Sequence, residues 1–335
     1  MNVTPEFDML MMGRALELAR LGMGFASPNP MVGAVVVNDS GLIVGEGWHR
    51  CWGGPHAEVN AVDSALRRGA DLKRCTIYVT LEPCAHYGKT PPCALLLKNS
   101  GFRRVVIGCL DPFPKVNGRG IEILREAGIE VECGVLEQEC KELNRRFFFA
   151  HTHKRPWVML KWAQSLDGFM AAADRRPVKF STPASSVFMH RERAGVDAIL
   201  VGTGTLRSDN PSLTLRLWPG RRLRPVVLLS ERTPADACVL SNPDTIKIDR
   251  PESLSSTLET LYSDFDVTSL MVEGGAALVA SFLSANDLWQ EMRIEVSPLR
   301  LGAGIPAPTV PLAGLQGNGA GGNMVYTALS ESAKL

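Results

Sequence analysis

The sequence has little of what marks a nucleic-acid or membrane protein. Its formal net charge is only +1 over 335 residues, so no basic surplus points to a polyanionic partner. Aromatic residues make up 7%, and no basic stripe studded with stacking rings is present. No apolar run is long enough to span a bilayer. The opening residues, Met1-Asn2-Val3-Thr4-Pro5-Glu6-Phe7-Asp8, lack the basic, apolar and small-residue order of a secretory signal. A cytoplasmic protein with neither a membrane nor a nucleic-acid partner is therefore expected. A disulfide framework is a poor default for such a chain, although it holds eight cysteines, seven of them before residue 141. Cys51, Cys75, Cys109, Cys133, Cys140 and Cys238 sit singly and read as small core or surface residues.

What remains is a globular composition, 45% hydrophobic and 21% charged, on a chain long enough for two cores. Apolar spacing predicts a helix over 8–21. A β-branched strand at 32–37 and its hairpin partner at 42–45 follow. Helices at 56–68, 92–99, 120–127 and 137–149 then alternate with strands at 76–80, 104–108 and 130–133. This alternation predicts a mainly parallel sheet covered on both faces. The polar, Pro-terminated stretch 151–156 reads as a connector, giving domains 1–150 and 151–335. The pattern then restarts, with strands at 157–161, 198–201, 225–229, 269–272 and 292–296. Helices fall at 185–194, 255–262 and 276–283. The Gly-rich residues 314–322 read as a loose loop before a final strand. The fold class expected is α/β in both domains.

The chemistry concentrates in the first half. His56-Ala57-Glu58 is followed by Pro83-Cys84, eight residues, and Cys93. One imidazole and two thiolates suit zinc and leave a position open for water, whose pKa the metal lowers to about 7. Glu58, two residues from a ligand and not itself one, stands where a proton-shuttling carboxylate belongs. The pattern points to a zinc deaminase. The insert between the cysteines, residues 85–92, departs from the usual Cys-x-x-Cys. It is either a lengthened loop or a recognition element in which His86 and Lys89 meet an anionic substrate. In the second half, Gly202-Thr203-Gly204-Thr205 and Gly274-Gly275 each follow a strand. Taken alone, either pair reads as a tight turn; bare amides at a helix start also suit a pyrophosphate, but neither stretch is a GxGxxG fingerprint, so a Rossmann domain is not supported. Ser230 and Arg232 follow the end of a strand, a common place for cofactor recognition in α/β sheets.

The run Thr80-Leu81-Glu82-Pro83-Cys84-Ala85-His86-Tyr87-Gly88-Lys89-Thr90-Pro91-Pro92-Cys93 resembles the deaminase signature of the bifunctional riboflavin biosynthesis deaminase/reductase family. Residues 29–34 and 53–58 support it. So do 161–168, 201–206, 209–216 and 272–275 in the second half. The resemblance implies a cytidine-deaminase-like three-layer domain followed by a dihydrofolate-reductase-like domain. It implies deamination of 2,5-diamino-6-ribosylamino-4(3H)-pyrimidinone 5′-phosphate, then NADPH-dependent reduction of the ribosyl chain to ribityl. Zinc falls on His56, Cys84 and Cys93, and proton transfer on Glu58. Asn29, His49 and Lys89 match positions near the pyrimidine or its phosphate. Cofactor contacts fall on Ala163, Lys179, Thr205, Asp209, Ser230 and Gly275, and on Ala276, Ala277, Leu278, Val279, Ala280 and Ser281. Substrate contacts fall on Lys161, Pro177, Arg193, Leu213, Arg216 and Glu273. Lys179 stands where the family often has a cofactor-stacking Trp, which leaves open a deaminase with a non-catalytic reductase-like half. A base deaminase acting on nucleic acid is the competing class. A homo-oligomer, dimer or tetramer, is expected.

Overall fold

The computed structural model describes residues 4–87, 91–113, 118–174, 176, 178–221, 223–285 and 287–333. The chain divides into two compact units, Met1–Thr152 and His153–Leu335. In the first, α1 (Pro5–Arg20) precedes β1 (Gly33–Val37), β2 (Ile43–Trp48), α2 (Ala57–Arg67), β3 (Thr76–Leu81) and α3 (Cys93–Ser100). There follow β4 (Arg104–Cys109), α4 (Arg119–Glu126), β5 (Glu130–Cys133), α5 (Glu137–Leu143) and α6 (Arg145–His153). Helix α1 starts at Pro5 rather than at residue 8 because the Thr4 hydroxyl accepts the Phe7 N–H and Pro5 suits the first helical position.

The five strands lie in the order β2-β1-β3-β4-β5. Strands β3, β4 and β5 run parallel, whereas β1 is antiparallel to both β2 and β3. The mainly parallel sheet expected from the sequence is thus mixed here. The short turn after β1 reverses the chain directly, without the crossover helix that parallel pairing needs. Side chains alternate between the two faces. Val35, Tyr78 and Val106 pack with Met12 and Leu16 of α1, while Val36, Ile77 and Val105 pack with Ala61 of α2 and Leu97 of α3. The result is three layers with the sheet in the middle.

Helix α2 lies unusually close to β2. A Cβ on Gly45 would stand 2.4 Å from the Ala61 carbonyl oxygen, and one on Gly47 would stand 2.4 Å from the Ala61 nitrogen. Only glycine permits this approach. The helix expected over 137–149 breaks at Asn144, whose buried amide is used elsewhere. Its Oδ1 accepts the Met31 N–H at 2.8 Å and its Nδ2 donates to the Met31 carbonyl at 2.9 Å. Residues 151–153, expected in a connector, extend α6 instead, and Lys154 then takes a φ of 57°.

The second unit runs β6 (Trp157–Gln164), β7 (Phe169–Ala172), α7 (Pro183–Ala194), β8 (Ala198–Val201), α8 (Thr203–Asp209) and β9 (Arg224–Leu229). It continues with β10 (Ile246–Asp249), α9 (Leu254–Ser263), β11 (Ser269–Val272), α10 (Ala276–Ser284), β12 (Glu291–Val296), β13 (Gly304–Pro306), β14 (Gln316–Ala320) and β15 (Asn323–Leu329). The main sheet has the order β10-β9-β8-β11-β6-β12-β15-β14. It is parallel from β10 to β12 and closes with antiparallel β15 and β14. Strand β14 corrects the loose loop expected at 314–322. One face carries Val158, Leu160 and Leu270 against Leu258 of α9 and Phe282 of α10. The other carries Met159, Ile199 and Met271 against Met189 of α7. Among the described residues, no helix is long and apolar enough to cross a membrane.

Candidate active site

In the first unit, the metal-ligand candidates come from helix starts and a strand end. His56 is the N-cap of α2, Cys84 follows β3, and Cys93 is the first residue of α3. His56 Nδ1 lies 3.7 Å from Cys84 Sγ and 3.3 Å from Cys93 Sγ, and all three donor atoms lie within 4.8 Å of one another. A tetrahedral zinc with thiolates at about 2.3 Å and imidazole at about 2.0–2.1 Å spaces its ligands by about 3.6 Å. Donor chemistry and spacing therefore both fit zinc. The Cys93 N–H, the first amide of α3, donates to Cys84 Sγ at 3.2 Å.

The electrostatics agree with this fit. A side-chain hydrogen bond from the Cys93 thiol holds the Cys84 thiol far below its ordinary value, helped by His56 and by the Cys93 N–H and opposed by burial. Cys93 moves the other way, pushed up by its side-chain bond to Cys84 and by burial. A divalent cation between the two sulfurs favours thiolate on both. Glu58 is 3% exposed. Burial pushes its carboxyl up to about 7, with the charge on Cys84 adding to the effect.

These residues open onto a cavity of about 340 Å³. Asn29 and His49 form one wall. The Asn29 amide donates to His49 Nε2 at 3.2 Å and His49 Nδ1 donates to the Pro55 carbonyl at 3.1 Å, a pairing that assigns the neutral tautomer. Burial keeps the His49 pKa below its ordinary value, which agrees. His86, Asp111, Phe113, Phe147 and His151 also line the cavity. The rings of Phe113 and His151 stand 5.6 Å apart and those of Phe147 and His151 4.3 Å apart. Asp111 is buried, and burial pushes its carboxyl up to about 6. Sequence reasoning missed Asp111, Phe113, Phe147 and His151. Only Asp111 carried a signal, lying just past the carboxyl end of β4 where α/β sheets place ligand residues.

In the second unit, Arg193 and Glu273 meet each other. Arg193 Nε and Nη2 donate to the two Glu273 carboxylate oxygens at 2.7 and 2.6 Å. Burial alone would raise the Glu273 pKa, but Arg193, then Lys161, outweigh it and hold the group below the usual carboxylate value. The sequence left His190 without a role. Its Nδ1 accepts the Arg216 N–H at 3.2 Å. The exposed Arg216 guanidinium donates to Ser212 Oγ at 3.0 Å.

The nucleotide candidates gather at two helix starts. Gly202 caps α8 and Gly275 caps α10. A Cβ on Gly275 would lie 3.8 Å from Thr205 Oγ1, so the two starts converge. Of the α10 set, Ala277, Ala280 and Ser281 are exposed, Ala276 is half-buried and Leu278 leans on the core. The side chains of Val279 and Leu213 pack in the core, which leaves their backbone for the expected contacts. Ala163 is half-buried on β6, Asp209 is exposed at the end of α8, and Lys179 is exposed ahead of α7. Ser230 is exposed after β9, its hydroxyl accepting the Arg232 N–H at 3.3 Å. Lys89 and Pro177 lie outside the described residues.

Comparison with known proteins agrees in both halves. Residues 5–109 match the cytidine and deoxycytidylate deaminase zinc-binding region, and residues 156–318 match the RibD C-terminal domain. Riboflavin biosynthesis protein RibD of Aquifex aeolicus is 39% identical over 90% of this chain and 89% of its own length. The Escherichia coli protein of that name is 35% identical, covering 88% and 89%. An Acinetobacter baumannii RibD structure superposes with a TM-score of 0.88 at 33% identity, covering 98% of this chain and 99% of its own. A Thermotoga maritima deaminase/reductase structure gives 0.86 at 36% identity, covering 97% and 99%.

Fold and site together define a zinc-binding, cytidine-deaminase-like domain joined to an NADPH-dependent reductase domain. The chain belongs to the RibD family of bifunctional riboflavin biosynthesis deaminase/reductases.

Proposed function

We propose that the first unit deaminates 2,5-diamino-6-ribosylamino-4(3H)-pyrimidinone 5′-phosphate and that the second reduces the ribosyl chain of the product to ribityl. The observation that carries this reading is the convergence of His56, Cys84 and Cys93 beside a buried Glu58. The Thermotoga maritima relative supports the choice of substrate. It is described as a diaminohydroxyphosphoribosylaminopyrimidine deaminase and 5-amino-6-(5-phosphoribosylamino)uracil reductase.

His56, Cys84 and Cys93 would hold the zinc, which would supply Lewis acidity toward a water. Glu58 is placed to accept a proton from an attacking water and to return one to the departing nitrogen as the C–N bond breaks and ammonia leaves. A carboxyl that titrates near neutrality suits both halves of this transfer. Asn29 and His49 orient the ring, and Lys89 meets the phosphate.

In the second unit, the amides that open α8 and α10 receive the cofactor phosphates. Thr205 and Gly275 stand at those starts, with Ala163, Asp209, Ala276, Ala277, Ala280 and Ser281 around them. NADPH supplies the reducing equivalent when bound. Lys161 and Glu273 face the reacting sugar, Arg193 holds Glu273, and Arg216 offers an exposed cation to the substrate phosphate. The exposed Lys179 contacts cofactor phosphate or ribose in place of a stacking ring.

The reading includes a cytoplasmic location and a homo-oligomer, and a monomer mass in light scattering would remove the second. The decisive assay offers the diaminopyrimidine phosphate with and without NADPH. Without it, ammonia release and accumulation of the deaminated ribosyl compound are expected. With it, the ribityl product appears. Absence of ammonia release from zinc-loaded protein would refute the proposal.

A further inference from the structure

Glu82 is a charged side chain that the chemistry above leaves without a role. It is 3% exposed and stands two residues before Cys84. Its carboxylate accepts three backbone N–H groups. Oε2 receives those of Asp111 at 3.3 Å and Gly118 at 3.0 Å, and Oε1 receives that of Gly120 at 3.0 Å. None of these donors belongs to β3, which Glu82 directly follows. Asp111 follows β4, and Gly118 and Gly120 open α4. A carboxylate at a helix start, bonded to amides, is among the stronger polar contacts a protein makes.

The approach is tight as well as polar. A Cβ on Gly120 would lie 2.2 Å from the Pro83 carbonyl oxygen and 3.2 Å from Glu82 Oε1. The start of α4 therefore rests directly on the chain that leads into Cys84. Asp111 and Phe113 line the cavity, as do Glu82 and Cys84 themselves. The Phe113 N–H donates to Asp111 Oδ1 at 2.8 Å, so the two residues move as a pair. The Phe113 ring in turn lies 5.9 Å from that of His86. The loop bearing Cys84 is thus tied to the segment of Asp111 and Phe113 and to the start of α4 through one carboxylate, with the Gly120 and His86 contacts beside it.

We propose that Glu82 is a positioning residue for deamination, holding the wall of Asp111 and Phe113 in register with the loop of Cys84. This inference rests on the reading of the cavity as the deaminase site. The bland alternative is that three hydrogen bonds stabilise the unit and do nothing else. The two differ in what the folded, zinc-loaded enzyme does. A support contact changes how much protein is folded, whereas a register contact changes how well the folded protein binds substrate.

The test uses the full-length zinc-loaded chain with Glu82→Gln and Glu82→Ala. Gln keeps the volume but turns one acceptor into an NH₂ that faces an N–H donor. A displacement of the wall by about 1 Å costs up to about 10²-fold. A fall in deaminase kcat/KM of about 10- to 100-fold is expected, carried mainly by KM. Zinc should stay at one per chain and the reductase rate should be unchanged. Hydrogen exchange should quicken at the amides of Asp111, Gly118 and Gly120. Should the alanine variant not fold, the glutamine variant decides. The inference is overturned by kcat and KM within twofold of wild type, by a fall in kcat alone, or by zinc lost in step with activity. A wild-type enzyme that releases no ammonia defeats the underlying reading, whereas an active wild type with an indifferent Glu82→Gln defeats only this inference.

Discussion

Replacing Arg193 by Met tests what the paired cation and carboxylate of the second unit contribute. The side chains are 15% and 13% exposed, so neither charge is well hydrated. At an effective dielectric near 20, two charges about 4 Å apart attract by about 4 kcal/mol. Desolvation opposes most of that gain, so the intact pair adds little net stability, but removing one partner leaves a buried charge at a cost of about 3–5 kcal/mol. Lys161 also acts on Glu273, which places Arg193→Met near the lower figure.

The pH dependence has a definite sign. In the wild type, the Glu273 pKa is lowered, so its stabilisation is present above the unfolded value of about 4.3 and is lost as pH falls through the lower folded value. Without the guanidinium, burial dominates and the pKa rises, so the variant's deficit narrows as acid neutralises the carboxylate. Hydrogen exchange of the β6 and β11 amides measures the opening of this unit alone. A double-mutant cycle with Glu273→Gln should return a coupling of about 2–3 kcal/mol. Additivity within about 0.5 kcal/mol, or a deficit that widens toward pH 4, would refute the reasoning.

Glu58→Gln should keep zinc and reductase activity while deamination falls by about 10²–10⁴-fold; near-normal ammonia release would remove Glu58 from the mechanism. Cys93→Ser should lower zinc content, because a hydroxyl replaces one of only three protein donors, and metal analysis after gel filtration reads this directly. Gly47→Ala should reduce deamination and zinc retention together, since its Cβ would meet the Ala57 carbonyl oxygen at 2.5 Å. Unchanged zinc with reduced activity would show that α2 does not move as one body.

The zinc set was legible because its chemistry restricts residue types and because its members fall in a short, ordered stretch. His56, Glu58, Cys84 and Cys93 could be assigned before any three-dimensional information. The rest of the cavity lining was not legible, because Asp111 and Phe113 follow β4 while Phe147 and His151 come from α6, and the two pairs share no motif. The meeting of Arg193 with Glu273 was hidden for the same reason, being a tertiary contact across 80 positions. Secondary structure failed where local preference lost to pairing. Strand β14, Gln-Gly-Asn-Gly-Ala, has no strand propensity of its own and is held by β15. The break between α5 and α6 could not be read either, because only the distant Met31 backbone explains why Asn144 leaves the helix.

The seam between α2 and β2 has an evolutionary consequence. Gly45, Gly47, Ala57, Ala61 and Ala65 meet there with no spare volume. A mutation that adds a methyl group on this seam shifts the whole helix, and with it both His56 and Glu58. Metal affinity and proton transfer then decline together, so a substitution on this seam does not lose one while keeping the other. Selection on either property guards both, and the seam should drift far more slowly than the apolar core around it, where lost volume can be recovered by neighbours.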